Sequence, residues 1–310
     1  LLNSHHDTVK PVRGWTRVPY EPVVEDGRLY GLGSNDAGGC LIALIAAFLE
    51  LYERDDLPVN LVLAATAEEE ISGAGGIAAI VPELEPLWAG IVGEPTQLQP
   101  AVAEKGLLVI DGEAHGVAGH AARDEGVNAL YLALEDIERL RRYAFQHRSP
   151  LLGPVKVSVT QIEAGHQHNV VPDRCRFVID VRTNELYSNE EAFELLQQQT
   201  RSVLTARSFR LNSSNIARDH PLVQSARRLG GQPFGSPTLS DQALLRIPTL
   251  KIGPGDSARS HTADEFIYLR EIKEGMEYYR RLIEGIEGVE DHRGMMVDGR
   301  ERSGDGHERS

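Results

Sequence analysis

Three consecutive glutamates, Glu68-Glu69-Glu70, follow a short apolar run at residues 60–65 (NLVLAA) and precede a glycine-rich turn at residues 72–76. An apolar run with such flanks predicts a buried strand. In an open α/β sheet, the ligand site lies beyond the carboxyl ends of the strands. Like charges at one strand end repel each other unless the dipole of an exposed helix start or a divalent cation stabilises them. The fold must therefore expose this turn to solvent or gather it around a cation.

Short apolar runs alternate with helical patterns in the first hundred residues and again after residue 211. This alternation indicates a layered α/β domain with a mostly parallel sheet. Its predicted strands lie at residues 1–4, 60–65, 88–93 and 249–252. Its predicted helices lie at residues 41–52, 73–80, 222–229 and 269–286, and Asp26-Gly27 predicts a turn.

A different pattern begins near residue 107. Alternating strands are predicted at residues 107–114, 155–162 and 175–182, with helices at 126–142 and 189–204. We therefore expect residues 107–211 to form an α+β domain inserted into a first domain made of residues 1–106 and 212–287. The polar, aperiodic residues 288–310 predict a disordered tail. The chain opens on strand-like residues without Met, so we expect it to be truncated at its N-terminus.

Composition excludes several classes of protein. The chain of 310 residues is 41% hydrophobic, which suffices for two cores. A net charge of −14 and a pI near 5.3 predict no nucleic-acid partner, which would require clustered Lys and Arg. We expect no membrane partner, because no run approaches the roughly 18 apolar residues of a spanning helix. Cys40 and Cys175 lie far apart, which predicts two buried thiols in a reducing cytoplasm rather than a disulfide.

Five further residues with side chains suited to binding a metal ion or orienting its ligands lie next to predicted strands or turns. His5 and Asp7 alternate after the first strand, so Asp7 can orient the His5 ring, although the pattern also fits a surface or cap role. Asp36 ends Gly31-x-Gly33-x-x-Asp and precedes an apolar helix, where it can also serve as an N-cap. That segment lacks the third glycine and the spacing of a dinucleotide-binding turn. Glu94 and His261 follow the strands at 88–93 and 249–252.

Two imidazoles and three carboxylates match the ligands that zinc prefers, and one bridging aspartate suits a site with two metal ions. The order of motifs resembles the zinc-dependent family of acetylornithine deacetylase, succinyl-diaminopimelate desuccinylase, aminoacylase and carboxypeptidase G. These motifs are H-x-D at 5–7, G-x-G-x-x-D at 31–36, EEE-x-x-G at 68–73, GEPT at 93–96 and SHTADEF at 260–266. The resemblance runs from residue 1 to about 286. It implies a zinc-exopeptidase-like α/β/α catalytic domain and an inserted ferredoxin-like lid and dimerisation domain.

The resemblance also implies a role for each residue of the predicted centre. Asp36 would bridge two zinc ions, with cobalt as a substitute. His5 and Glu94 would complete one site, and Glu70 and His261 the other. The remaining glutamate, Glu69, would be the general base that takes a proton from water and delivers it to the leaving amine.

Residues of the predicted lid match the family as well. His120, in the run GVAGHAA at 116–122, would reach the active site of a partner subunit and stabilise the oxyanion. Asn169 and Arg182 would hold the carboxylate of the substrate. His120 also fits a helix-end histidine in a dimer contact, and Arg182 fits a structural strand arginine. The resemblance therefore implies a homodimer through the lid.

Substrate choice is less constrained by these motifs. Residues 31–33 and 93–100 look most like acetylornithine deacetylase, which implies hydrolysis of N-acetylornithine in arginine biosynthesis. Deacylation of N-acetyl- or N-succinylcitrulline, acetyl-lysine deacetylation, succinyl-diaminopimelate desuccinylation and dipeptide hydrolysis stay open. The sequence departs from the family at Lys10, which stands between Val9 and Pro11, and at Gly38, where a lysine is usual. Both departures affect the substrate rim.

Two readings from other classes compete with this one. A non-catalytic dimer stabilised by metal would keep the ligands but show no turnover. A glycosidase could use Glu69 and Glu94 as acid and nucleophile. That hypothesis leaves His5, Asp36 and His261 without a role.

Overall fold

The computed structural model describes residues 1–84 and 86–288, so residues 289–310 of the predicted tail lie outside it. In chain order the strands are β1 (Leu2–His5), β2 (Val23–Glu25), β3 (Arg28–Tyr30), β4 (Leu63–Thr66), β5 (Gly90–Val92), β6 (Ala101–Glu104), β7 (Leu108–His115), β8 (Gly119–His120), β9 (Lys156–Ala164), β10 (Val170–Val171), β11 (Arg174–Arg182), β12 (Val203–Ala206), β13 (Ser214–Asn215), β14 (Phe234–Ser236), β15 (Thr249–Lys251) and β16 (Phe266–Tyr268). The helices are α1 (Gly39–Leu51), α2 (Ile77–Leu84), α3 (Ala129–Arg142), α4 (Asn189–Gln197), α5 (Pro221–Arg228) and α6 (Leu269–Glu284). Short helical turns lie at Ser34–Gly38, Asp241–Leu244 and Ser257–Arg259.

The larger sheet has the strand order β13-β6-β15-β5-β1-β4, and β14 also pairs with β6. Strands β15, β5, β1 and β4 run parallel, whereas β6 is antiparallel to both β13 and β15. Strands β1, β5 and β15 are buried along their whole length, so none of them shows alternating burial. Only β5 (GIV) is wholly apolar, because β1 (LNSH) and β15 (TLK) also bury polar side chains. The carboxyl ends of four parallel neighbours therefore lie along one edge.

Helices cover both faces of this sheet. Leu2 and Leu250 pack with Leu44 of α1 and Tyr279 of α6 in the main core, and α1 lies against α6. A smaller cluster joins Val92 to Ile77 of α2. The alternation predicted from the sequence thus yields the expected layered α/β arrangement.

The second sheet has the strand order β12-β7-β11-β9 and is wholly antiparallel. Its chain order, β7-α3-β9-β11-α4-β12, is that of a ferredoxin-like unit. Burial alternates along β7 and β11, and the buried residues pack with α3 and α4 in a core of their own. The open face of the sheet carries charged residues.

The helix predicted at residues 189–204 is wrong in its second half. Helix α4 ends at Gln197, and residues 203–206 form β12, an edge strand of the second sheet. The buried carboxylate of Asp136 accepts hydrogen bonds from the amides of Arg201 and Ser202 and from the Ser202 hydroxyl, at 2.7 to 3.0 Å. This tertiary contact turns the chain, so no glycine or proline marks the helix end in the sequence.

The helical segment Ser34–Leu51 is long and apolar enough to cross a membrane by length and composition alone, which the prediction of no such segment did not anticipate. Half of this segment is buried, and α1 packs against α6. A core helix of a soluble protein meets the same criterion, so this finding does not assign the segment to a membrane. The predicted turn at Asp26-Gly27 joins β2 to β3, and both residues have positive φ. Cys40 and Cys175 are free and buried, as expected.

Candidate metal centre

Neighbouring strand ends carry most of the predicted centre. His5 is the last residue of β1, and its backbone lies opposite Thr66, the last residue of β4. Glu69 and Glu70 follow β4, and Glu94 stands two residues beyond β5, on the other side of β1. The parallel register therefore gathers side chains that are up to 89 positions apart in sequence.

Asp36 enters from the turn Ser34–Gly38 before α1. Its backbone is extended, with φ −119° and ψ 96°. The turn is held by Glu265, whose carboxylate accepts hydrogen bonds from the amides of Gly33, Asn35 and Asp36, at 2.9 to 3.1 Å. Gly33 has φ 76°, and a Cβ there would lie 2.4 Å from the Thr8 methyl, so the turn requires glycine.

The two carboxylate oxygens of Asp36 point to different groups. Oδ1 lies 3.4 Å from His5 Nε2, and Oδ2 lies 3.6 Å from His261 Nε2. Glu94 Oε1 is 3.7 Å from His5 Nε2, and Glu70 Oε2 is 3.1 Å from His261 Nε2. In each triad, His5-Asp36-Glu94 and Asp36-Glu70-His261, the ligand atoms lie within 4.8 Å of one another. Asp36 is shared, as a bridging ligand would be.

The donor atoms fit a metal ion. His5 Nε2 and Glu94 Oε1 are buried and make no hydrogen bond, and buried polar atoms are otherwise nearly always paired. Burial opposes protonation of His5, but Asp36, Glu94 and Glu69 outweigh it and raise the pKa of the ring to about 11. Burial, together with Glu69 and Asp36, raises the pKa of Glu94 well above its usual value. Imidazoles and carboxylates crowded in this way attract a dication.

Glu69 belongs to neither triad but lies beside both. Its Oε2 is 3.9 Å from His5 Nε2, and the residue lines the same cavity as the ligands. Burial raises the pKa of its carboxyl to about 8, with Asp241 and Glu70 adding to the rise and His5 opposing it. A carboxyl with a raised pKa that ligates nothing is suited to accept and return a proton near neutral pH.

Asp7 and Glu68 shape the turn that carries Glu69 and Glu70. His5 Nδ1 lies 3.1 Å from the backbone oxygen of Asp7 and 3.4 Å from its carboxylate, so the backbone oxygen is the closer partner of the ring. The Asp7 carboxylate accepts hydrogen bonds from the amides of Glu69 and Glu70, at 3.3 and 3.2 Å. Glu68, at φ 63°, accepts from the amide of Gly75. Asp7 thus contacts the His5 ring and also holds the turn.

His261 lies in a left-handed backbone conformation, with φ 58°, which is uncommon for a residue other than glycine. Asn35 connects the His261 loop to the turn that carries Asp36. Its side-chain nitrogen, Nδ2, donates to the backbone oxygen of Asp256 and to the Ser260 hydroxyl. Asn35 also accepts from the amide of Asp256 at 3.1 Å. An unusual backbone at a ligand position, held by a buried amide, is typical of functional sites.

A cavity of about 310 Å³ opens at these ligands. Its lining also includes Asp256, Gln97 and Lys251, together with residues of β14 and of the turn that follows it at 237–239. No motif in the sequence points to these residues. A larger concavity of about 760 Å³ lies on the open face of the second sheet, and no predicted ligand lines it. The smaller cavity is therefore the candidate reaction site.

The predicted lid residues lie apart from that cavity. His120 is exposed on the two-stranded ribbon of β8 and β10, opposite Val170 and next to Asn169, whose carbonyl accepts a hydrogen bond from Ala121. Arg182 lies at the end of β11 and makes a paired contact with Asp180 at 2.8 and 3.0 Å. None of the three lines the candidate cavity within the described part of this chain. Their proposed roles remain predictions.

Comparison with known proteins identifies the family of this chain. The sequence model of "Peptidase family M20/M25/M40" matches residues 1–285. Acetylornithine deacetylase of Proteus mirabilis is 30% identical over 307 residues, which cover 92% of this chain and 79% of that protein. Acetylornithine deacetylase of Edwardsiella ictaluri is 32% identical over 293 residues, covering 86% and 75%.

Solved structures share the fold at lower identity. Aminopeptidase PepT of Bacillus cereus has a TM-score of 0.73 at 20% identity, covering 92% of this chain and 80% of its own. The Bacillus subtilis protein YXEP, described as a dinuclear metal-binding peptidase of the M20 family, has a TM-score of 0.65 at 18% identity, covering 91% and 79%. The family match across residues 1–285 and the curated relatives at 30% identity or more establish that the chain is a member of the M20/M25/M40 family of hydrolases.

Proposed function

We propose that this chain is a zinc-dependent deacylase that hydrolyses the amide bond of N-acetylornithine. The observation that carries the proposal is the pair of triads that share Asp36, with Glu69 beside them and outside both. Two zinc ions fit the imidazole and carboxylate donors, and cobalt is a substitute that accepts the same ligands. Cytoplasmic arginine biosynthesis is the setting that this activity implies.

In this proposal His5 and Glu94 would hold one metal ion, Glu70 and His261 would hold the other, and Asp36 would contribute to both sites. When bound, the ions supply Lewis acidity for the amide carbonyl and lower the pKa of water. Glu69 takes a proton from the attacking water, whose oxygen forms the new bond to the carbonyl carbon. Glu69 then delivers the proton to the nitrogen as the C–N bond breaks, which releases the carboxylic acid and the free amine.

The charge of the cavity lining supports a small neutral acyl group. Among the described residues that line the cavity, Lys251 is the only lysine or arginine, and its ammonium already contacts Glu104 and Thr238. A succinyl group carries a second carboxylate, which is costly to desolvate without a cationic partner. The lining therefore favours acetyl over succinyl.

The acidic residue Asp256 favours a substrate whose amino-acid side chain carries a positive charge. Asp256 lines the cavity outside the two triads and accepts a hydrogen bond of 2.6 Å from the amide of Gln97. The δ-ammonium of ornithine can pair with this carboxylate, whereas the neutral ureido group of citrulline gains only hydrogen bonds. The names of the curated relatives agree with this choice.

A homodimer through the lid is part of the proposal. His120 and Asn169 are brought together on the ribbon of β8 and β10, outside the cavity of their own chain. Tyr131 and Leu134 of α3 are 64% and 47% exposed, and they offer apolar surface on the same lid. A partner that presents His120 would add an oxyanion donor to each site.

The test measures amine release from N-acetylornithine, N-acetylcitrulline and their N-succinyl analogues, with a chelator or with added zinc or cobalt. We expect chelator-sensitive release, fastest from N-acetylornithine. Asp256→Asn should raise the KM for N-acetylornithine and leave the KM for N-acetylcitrulline nearly unchanged. Dipeptides form a parallel panel, and turnover of dipeptides alone would replace the proposal with a peptidase. Bound metal without any turnover would favour the non-catalytic dimer.

A further inference from the structure

Lys251 and Glu104 form a buried ion pair next to the candidate cavity. Lys251 ends β15 and Glu104 ends β6, and the two residues are 2% and 0% exposed. Lys251 Nζ lies 2.9 Å from Glu104 Oε2. Burying two charges costs several kcal/mol per ion before their attraction repays it, and apolar residues of similar size often fold as well. A buried pair at this position therefore calls for a role besides stability.

The remaining side-chain hydrogen bonds of the pair all go to the turn that follows β14, at residues 237–240. Lys251 Nζ donates to the carbonyl oxygen of Thr238 at 2.9 Å and contacts its hydroxyl at 3.3 Å. Glu104 accepts from the hydroxyl of Ser240 at 2.7 Å and from its amide at 3.3 Å. The amide of Lys105 donates to the carbonyl of Ser236 at 3.2 Å. The turn and the end of β14 before it are thus held by Lys251 of β15, by Glu104 of β6 and by Lys105 directly after β6.

This turn is part of the cavity wall. Phe234, Ser236, Pro237, Thr238 and Leu239 line the same cavity as Glu69 and the metal-binding triads, and Lys251 lines it too. Pro237 and Thr238 are exposed, and Leu239 is partly exposed, so the turn presents small and apolar groups to a ligand. Lys251 also neighbours the strand before Glu94, because β15 pairs with β5.

We propose that Lys251 and Glu104 are positioning residues that hold the turn at Thr238 and Leu239 as the wall against which the acyl group of the substrate packs. The inference rests on the proposed deacylase function and adds to it the part of the chain that selects acyl length. A wall fixed by a buried pair is rigid, and a rigid wall rejects a longer acyl group by steric contact. Loosening the pair should therefore broaden the acyl groups accepted while the metal ligands stay in place.

The experiment compares Lys251→Met with the double variant Glu104→Gln/Lys251→Met in the full, metal-loaded protein. Lys251→Met leaves a buried carboxylate unpaired, so its unfolding midpoint should fall. The double variant has no unpaired charge and should regain most of that loss. Its ratio of kcat/KM for N-acetyl over N-propionyl substrate should nevertheless fall about tenfold, the discrimination that one methylene supplies in an apolar pocket. Metal content should match the wild type.

Asp136→Asn is the matched control, since Asp136 is also a buried carboxylate that holds a turn, but in the second core. It should lower stability without changing the acetyl-to-propionyl ratio. A double variant with restored stability and an unchanged ratio would overturn the proposal, as would an equal change of ratio in Asp136→Asn.

Leu239→Ala keeps the ion pair but removes apolar atoms from the wall, which enlarges the cavity. This variant therefore tests the proposal even if the Lys251 variants do not fold. It should raise the relative rate with the N-propionyl substrate, and an unchanged acyl profile would overturn the proposal. A wild-type protein that releases no amine from any N-acyl amino acid would refute the deacylase function itself, and the acyl wall with it.

Discussion

At the scale of single residues, the three consecutive glutamates Glu68, Glu69 and Glu70 make different contacts. Glu68 accepts from the Gly75 amide and holds the following loop, Glu70 lies 3.1 Å from His261, and Glu69 lies beside His5 outside both triads. Backbone direction accounts for the difference, because Glu68 has φ 63° and turns away from its neighbours. Three identical side chains therefore occupy three chemically distinct positions.

Glu69→Gln removes the proposed proton acceptor without removing a proposed metal ligand. We expect kcat to fall by about 10²- to 10⁴-fold, the usual contribution of a general base, while metal content stays at the wild-type level. Glu68→Gln is the matched control one residue away, because its amide oxygen can still accept from Gly75, and it should keep near-normal turnover. Steady-state kinetics and metal analysis of both variants check this. Near-normal turnover by Glu69→Gln would remove Glu69 from the mechanism.

At the scale of elements, the turn that carries Asp36 is held by the carboxylate of Glu265, which lies 229 residues further along the chain. Glu265→Ala leaves the amides of Gly33, Asn35 and Asp36 without their acceptor, so the proposed bridging ligand, Asp36, loses its support. Loss of such an outer partner typically weakens metal binding about 10- to 100-fold. Competition with a chromophoric chelator measures this directly. Glu265→Gln retains one acceptor oxygen, so its metal affinity should lie between those of the wild type and Glu265→Ala. Wild-type affinity in Glu265→Ala would show that the turn holds its shape unaided.

A carboxylate near the start of α6, Glu271, makes a pH-dependent contribution to the free energy of unfolding. Burial opposes ionisation of Glu271, but its paired contacts with Arg259 at 2.7 and 2.8 Å and the Tyr268 amide outweigh this and lower the pKa of the carboxyl below its usual 4.5. A lowered folded-state pKa means that the stabilisation is complete above about pH 4.5 and is lost as the pH falls through the lower folded value.

Glu271→Gln should therefore cost about 1–2 kcal/mol of unfolding free energy at pH 7, allowing for partial exposure of the pair. The difference from wild type should shrink as the pH falls below 4.5, where the carboxyl protonates first in the unfolded chain, and should vanish once the pH has fallen through the lower pKa of the folded state. Urea unfolding at several pH values measures both effects. A difference that stays constant into acid would show that the charge of Glu271 does not contribute.

Elements and ligands differ in how far the sequence predicts them. Strands β4 and β5 lie in short apolar runs, so the polar residues that follow them, Glu70 and Glu94, stand out in the sequence. Strand β1 (LNSH) is mostly polar, and His5 is recognisable instead from its H-x-D spacing with Asp7. Glu265, Asn35 and Lys251 were not assigned roles, because a buried polar residue has no periodicity and its partners are distant in sequence. The end of α4 was missed for the same reason, since Asp136 lies 65 residues before the amide that it accepts from.

At the scale of the whole molecule, the cavity and the ribbon of β8 and β10 belong to separate sheets. The ligands lie at the edge of the mixed sheet, whereas His120 lies on the ribbon of β8 and β10, which follows β7 of the second sheet. Each sheet has its own hydrophobic core. If His120 serves the active site of a partner, then each site is built from two chains, and its activity depends on which subunits associate.

Mixing two inactive variants tests this dependence. In a two-fold symmetric dimer of one Glu69→Gln subunit and one His120→Ala subunit, the site with intact Glu69 receives the intact His120 of its partner. Random reassociation makes half of the dimers mixed, each with one working site, so we expect about a quarter of the wild-type activity after subunit exchange. Each variant exchanged only with itself is the control. If the mixture stays inactive although the variants form mixed dimers, His120 serves no partner site. If His120→Ala alone is fully active, the residue has no part in turnover.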